Sequence, residues 1–246
     1  MRRTVLSFLA HPDDAEILCA GTLARLAGLG WTVHIATATA GDCGTATRSA
    51  AEISAIRIAE ACKAAALIHA TYHCLGELDG FVLHDAPTLR KAYALFREIN
   101  PGLVLTHPRE DYMLDHEQVS LLARAASFIY AAPNVIEAPQ RPTDASVPWL
   151  YYCDPIGGVD ASGRLVGPST LIDISKFQAV KLEMLACHAS QREWLAAHHG
   201  MDEYLDATRR HDAERGKLLG VVAAEAFVQH RGHAYPHDDL LHALLG

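Results

Sequence analysis

Three absences narrow this 246-residue sequence before any motif is read. No apolar run approaches the ~20 residues needed to cross a bilayer, and the longest, Leu218 to Val228, carries Glu225. Basic residues are in the minority, 21 Lys and Arg against 29 Asp and Glu, and the resulting net charge of −8 argues against nucleic acid as a partner. The six cysteines, Cys19, Cys43, Cys62, Cys74, Cys153 and Cys187, form no C-x-x-C pair. That speaks against a cysteine zinc site and for reduced thiols in the cytoplasm. No G-x-G-x-x-G follows the first apolar run, and neither a Walker A motif nor a G-x-S-x-G elbow occurs, so dinucleotide, triphosphate and serine-nucleophile chemistries lack their backbone signatures. The basic, apolar start from Met1 to Ala10 is too short for a secretion signal and runs into His11-Pro12-Asp13-Asp14 instead of a small-residue cleavage site.

What is present is a chain half apolar, enough to bury a core, in which strand-like and helix-like stretches alternate. Val5 to Ala10 reads as a buried strand, Ala15 to Leu29 as a helix stopped by Gly28 and Gly30, and Trp31 to Thr39 as a second strand. An Ala-rich helix over Ser49 to Leu67, a strand near Thr71 to Leu75, a helix over Thr88 to Asn100, a strand over Leu103 to Thr106 and a helix over His116 to Tyr130 continue the pattern. Repeated βαβ units imply a parallel sheet with right-handed crossovers. The expectation is an α/β, Rossmann-like three-layer sandwich over residues 1–130. Residues 131–246 form a C-terminal extension: a proline-marked loop, strands at Trp149 to Cys153 and Leu171 to Ile174, and helix from Ser175 onward. One domain is expected, because no flexible linker divides the halves.

Two polar clusters follow strands: Ala10-His11-Pro12-Asp13-Asp14, and His107 through His116. Open α/β sheets gather functional groups at the carboxyl ends of their strands. Pro12 holds His11 out of the helical region, and the turn that follows can bring His11 and Asp14 toward one point, with His116 supplying a third donor from the distant segment. Two histidines and a carboxylate leave a coordination position open, as catalytic zinc sites do, and Asp13 would lie beside the metal as a proton acceptor. Plainer readings stand alongside: Asp13 or Asp14 as helix caps, and Asp115 with Gln118 as a capping box that would also orient His116.

These residues resemble the zinc-dependent N-deacetylases of the LmbE or PIG-L type. The likeness rests on Ala10 through Glu16, on Gly21-Thr22-Leu23-Ala24, and on Asp111-Tyr112 through Asp115-His116. Weaker matches at Arg57-x-x-Glu60, Leu75 to Gly80, His188-x-Ser190-Gln191 and Ala224 to Phe227 carry it along nearly the whole chain. The resemblance implies His11, Asp14 and His116 as metal ligands, Asp13 as general base, and Arg57 and Asp79 as contacts to a sugar. It further implies Zn2+ or Fe2+ as cofactor, an N-acyl amino sugar or glycoconjugate as substrate, and self-association into a homo-oligomer.

The chain departs from that pattern at Met113, where many relatives carry a histidine thought to act as acid and oxyanion contact. A thioether donates no proton. Either Asp13 returns the proton itself, or His188 or His107 replaces the missing group, or the chain binds without catalysis. An amidase acting on a thiol conjugate of an amino sugar is a further alternative. The ordinary role of Arg57 is an ion pair with Glu60 one turn away, and that of Asp79 a turn residue. The Gly41 to Thr45 loop can line the same crevice, whereas His198, His199, His211, His230, His233, His237 and His242 read as surface residues.

Overall fold

The structure, a computed structural model, describes residues 2–192, 194 and 204–246. The chain runs β1 (Thr4–Leu9), α1 (Asp14–Leu18), α2 (Ala20–Gly28), β2 (Thr32–Thr39), α3 (Ala50–Ala66), β3 (Thr71–Glu77), α4 (Ala86–Ile99), β4 (Leu103–Thr106), α5 (Leu114–Ile129) and β5 (Trp149–Cys153). It continues with β6 (Thr170–Asp173), α6 (Gln178–Ala186), α7 (Tyr204–Leu219), β7 (Ala224–Gln229) and α8 (Leu240–Leu245). The strands form one seven-stranded sheet in the order β3-β2-β1-β4-β5-β7-β6. Its first five strands are parallel, and β7 lies antiparallel between β5 and β6.

Alternation along β1 explains the three layers. Val5 and Leu9 face one apolar cluster with α1, α2, α6 and α8, while Leu6 and Phe8 face another with α4 and α5. Strands buried on both faces need continuous apolar runs, and β1 and β4 have them. From β1 the chain first builds outward to β2 and β3, then returns to place β4 on the other side of β1. At that reversal the loops leaving β1 and β4 part in opposite directions and open a crevice above the sheet. His11 follows β1 and His107 follows β4, so the two polar clusters flank the crevice.

Two expectations are corrected. The helix expected over Ala15 to Leu29 is broken at Cys19 (φ −149°, ψ 8°), so that α1 is a separate turn whose first residues can point into the crevice. Residues 224–229, expected to continue a helix, are strand β7: a six-residue segment is too short for its pattern to tell strand from helix, and pairing with β5 and β6 decides it.

A buried ion cluster fastens the C-terminal segments to this core. Lys181 Nζ donates to Asp212 Oδ1 at 2.7 Å and to Glu225 Oε1 at 2.8 Å, and the Glu225 carboxylate also accepts the Gly21 and Thr22 amides at the start of α2 (2.9 and 2.7 Å). All three side chains are excluded from water. Removing one partner of such a group leaves uncompensated buried charge, at a cost of about 3–5 kcal/mol. Lys181→Met should therefore lower the urea unfolding free energy by that amount; a loss below about 1 kcal/mol would contradict the charged triad.

Candidate metal centre and its cavity

The loop after β1 is shaped by its own short-range bonds. The His11 amide donates to Asp14 Oδ2 at 2.7 Å, and Asp13 takes a positive φ of 107° that side chains rarely adopt. Such a conformation costs about 1–3 kcal/mol and persists where surrounding contacts impose it. Here they do: Arg57 Nη2 donates to Pro12 O at 2.6 Å and lies 3.5 Å from Asp13 Oδ1, while Tyr204 Oη donates to Asp13 Oδ2 at 2.5 Å. The turn holds Asp13 and Asp14 on different sides, and neither caps a helix: Asp13 is at the N-cap position without a side-chain cap bond.

Three donors converge beneath the crevice. His116 Nε2 lies 3.3 Å from His11 Nδ1 and 3.7 Å from Asp14 Oδ1, and His11 Nδ1 lies 3.5 Å from Asp14 Oδ2. A tetrahedral zinc ion with bonds of about 2.0 to 2.2 Å separates its donors by roughly 3.3 to 3.6 Å, so the residues present fit a divalent cation. Electrostatics agree. Burial opposes charge on His11, yet the carboxylates of Asp115, Asp14 and Asp79 together raise it to about 10. Burial likewise opposes ionisation of Asp14, and the facing His116 and His107 imidazoles nevertheless hold it well below the usual carboxylate range. The pocket is built for positive charge.

The outer nitrogens of both histidines meet carboxylates. His11 Nε2 is 3.2 Å from Asp115 Oδ2, and His116 Nδ1 is 3.1 Å from Asp111 Oδ1. Asp115 thus orients His11, where the capping-box reading turned it toward His116. The helix starts two residues earlier than His116, at Leu114, with Met113 at the N-cap, and Asp115 instead accepts the Gly80 amide at 2.7 Å while Gln118 accepts that of His84. Asp111 takes the place beside His116, a role that sequence spacing did not suggest.

A cavity of about 690 Å³ rises from this floor. His11, Asp13, Asp14, Arg57, Asp79, Asp115 and His116 all border it, as do Cys43 and Gly44 of the loop after β2. Arg57 is committed to the protein: besides Pro12 and Asp13 it donates to Gly41 O, and Gly41 at φ +75° leaves no room for a Cβ against the guanidinium. Its expected partner Glu60 instead accepts from the Ser190 amide and hydroxyl (3.0 and 2.6 Å). Asp79 Oδ2 accepts the Cys43 amide at 3.0 Å, while its Oδ1, buried and without a hydrogen bond, lies 3.9 Å from His11 Nε2.

The two candidates for the missing acid sit elsewhere. His107 is fully buried, stacked on His116 with ring centroids 3.8 Å apart, and its Nε2 faces Asp14 Oδ2 at 3.0 Å; burial and His116 hold it down to about 4. His188 is also fully buried, 3.5 Å from Glu16, and does not border the cavity. Met113, Tyr112, Tyr204, Thr208 and His211 do. His211 is therefore no surface residue, and His230 also has a partner, the Tyr152 hydroxyl at 3.1 Å. His198 and His199 lie outside the described residues.

A family model described as PIG-L, GlcNAc-PI de-N-acetylase, matches residues 6–127, a span that contains every donor of the cluster. The chain belongs to the PIG-L family. Among curated proteins it is 23% identical over 241 residues to 4-oxalmesaconate hydratase of Pseudomonas putida, covering 94% of this chain and 88% of that one. A conserved protein of Thermus thermophilus shares the fold at TM-score 0.73 and 26% identity, with 91% of this chain and 93% of that one covered. N,N'-diacetylchitobiose deacetylase of Pyrococcus horikoshii does so at TM-score 0.79 and 23% identity, with 97% and 88% covered. The PIG-L fold of this chain is thus shared by a deacetylase and by a hydratase.

Removing an outer partner of a metal-binding histidine typically weakens metal affinity about 10- to 100-fold. Asp111→Ala should do so for Zn2+ in competition with a chelating dye, and His116→Ala should lose the bound ion altogether. Unchanged affinity in both would exclude the cluster as the metal site.

Proposed function

We propose that this PIG-L protein is a metal-dependent hydrolase that removes an acyl group, acetyl foremost, from the nitrogen of an amino sugar or glycoconjugate. The observation that carries the reading is the convergence of His11 Nδ1, Asp14 and His116 Nε2 beside the buried, unligated carboxylate of Asp13 at the floor of one cavity. His11, Asp14 and His116 would hold the cation, Zn2+ or Fe2+. When bound there, such an ion lowers the pKa of water toward about 7 and polarises an acyl carbonyl.

The chain's own residues handle the proton. Burial raises the Asp13 pKa, with the Arg57 guanidinium opposing it, so the carboxylate binds a proton more readily than a solvated one does. Asp13 takes the proton of the attacking water and delivers it to the departing nitrogen, which it can do because Tyr204 and Arg57 hold its two oxygens in place. Asp115 and Asp111 orient the two imidazoles, and Asp79 adds negative charge beside His11. A sugar of one or two rings fits the cavity volume. The free cysteines support a cytoplasmic location, and self-association is part of the same reading.

A second reading is hydration of a carbon–carbon double bond. The hydratase relative supports it, and Met113 is neutral between the two, since water added across a double bond must also deliver a proton, there to carbon.

Asp13→Asn should leave metal content unchanged and lower turnover about 10²- to 10⁴-fold. Amine release from a panel of N-acyl amino sugars, read by fluorogenic labelling, measures it. The loss of ultraviolet absorbance from an unsaturated oxo-dicarboxylate tests the second reading. No amine from any member of the panel, with absorbance lost from the unsaturated acid, would replace deacylation by hydration.

A further inference from the structure

The cavity has one imidazole that neither the cation nor the base requires. Met113 occupies a wall position without a proton to donate, His107 is sealed behind Asp14, and His188 is buried away from the cavity. Among the described residues, the histidines that border the cavity are His11, His116 and His211. The first two are candidate ligands, which leaves His211, on α7.

His211 is held as a functional imidazole is held. Its side chain is 18% exposed, and its Nε2 lies 3.6 Å from Asp154 Oδ2. Asp154 follows directly on β5, at the same carboxyl edge of the sheet as His11 and His107. It is buried and clamped by Arg215, whose Nε and Nη2 approach Oδ2 at 2.6 and 2.5 Å. Arg215 in turn lies against Gly158, where φ is +70° and any Cβ would collide with the guanidinium. A line Arg215, Asp154, His211 therefore runs from the end of β5 to the cavity wall. At 3.6 Å Asp154 makes no direct hydrogen bond to Nε2, but its carboxylate on that side favours the proton on Nε2 and the lone pair on Nδ1. Burial, with Lys181 and Arg215 nearby, keeps the ring neutral by holding its pKa down to about 4.

We propose that His211 is a substrate-contacting residue of this cavity, its Nδ1 accepting a hydrogen bond from a hydroxyl or N–H of the substrate, with Asp154 and Arg215 as its positioning residues. The ligand class this selects is one rich in hydrogen-bond donors, such as a sugar ring. The nature of the cavity's occupant rests on the deacylation reading; the contact itself is testable apart from it.

The test uses the metal-loaded full-length chain. His211→Ala should keep metal content and thermal midpoint while kcat/KM for amine release falls at least about tenfold, mostly through KM, as expected for a lost buried hydrogen bond. His211→Asn, whose amide oxygen can accept, should recover part of the loss, and Asp154→Asn should cause a smaller loss in the same parameter. His211→Ala within about twofold of the unaltered chain would overturn the proposal. If the unaltered chain releases no amine, the deacylation reading fails by itself, and calorimetric binding of glucosamine and N-acetylglucosamine decides. Affinity at least about tenfold weaker in His211→Ala supports the contact. Equal affinity, or no binding by the unaltered chain, overturns it.

Discussion

One buried carboxylate organises the floor of the cavity. Asp14 accepts the backbone amide of His11 and faces the rings of His11, His107 and His116, so a single residue in the first turn of α1 gathers imidazoles from three segments of chain. A carboxylate in low dielectric without such partners would be protonated; with three imidazoles around it, it stays ionised. Everything further out follows from keeping that negative point fixed. Asp115 and Asp111 brace the rings from behind, and the strained turn at Asp13 points the neighbouring carboxylate the other way.

Much of this was legible in the sequence because it is local or periodic. The bounds of β4 and β5 follow from apolar runs between breakers, and the His11 to Asp14 spacing is short enough for a turn to bring its ends together. What sequence spacing could not assign were roles set by packing. Arg57 looks like the partner of Glu60 on a helix drawn alone, but Ser190, 130 positions away, takes Glu60 and frees the guanidinium for Pro12, Gly41 and Asp13. Asp115 looks like a cap because its neighbours spell one, but the helix begins two residues sooner and turns the carboxylate toward His11. Strand β7 carries no period of its own, and His211 is indistinguishable from a solvated histidine until α7 is laid over the sheet.

The two halves of the chain contribute unlike things to the cavity. The floor of candidate metal donors comes from residues within the span the family model matches, 6–127. Ile156, Tyr204, Thr208 and His211, which line the walls, lie beyond it. Such a division allows the walls to change without disturbing the donors.

The spacing of the donors also dictates when the centre can come into being. His11 and Asp14 sit in one turn, but His116 is 105 positions from His11. The third donor stands beside the other two because β4 pairs directly with β1, across the excursion through β2 and β3. Without that pairing the turn offers His11 and Asp14 alone. The set of three donors is therefore a property of the closed sheet, and a cation held by all three would be held by the folded chain and not by an isolated turn.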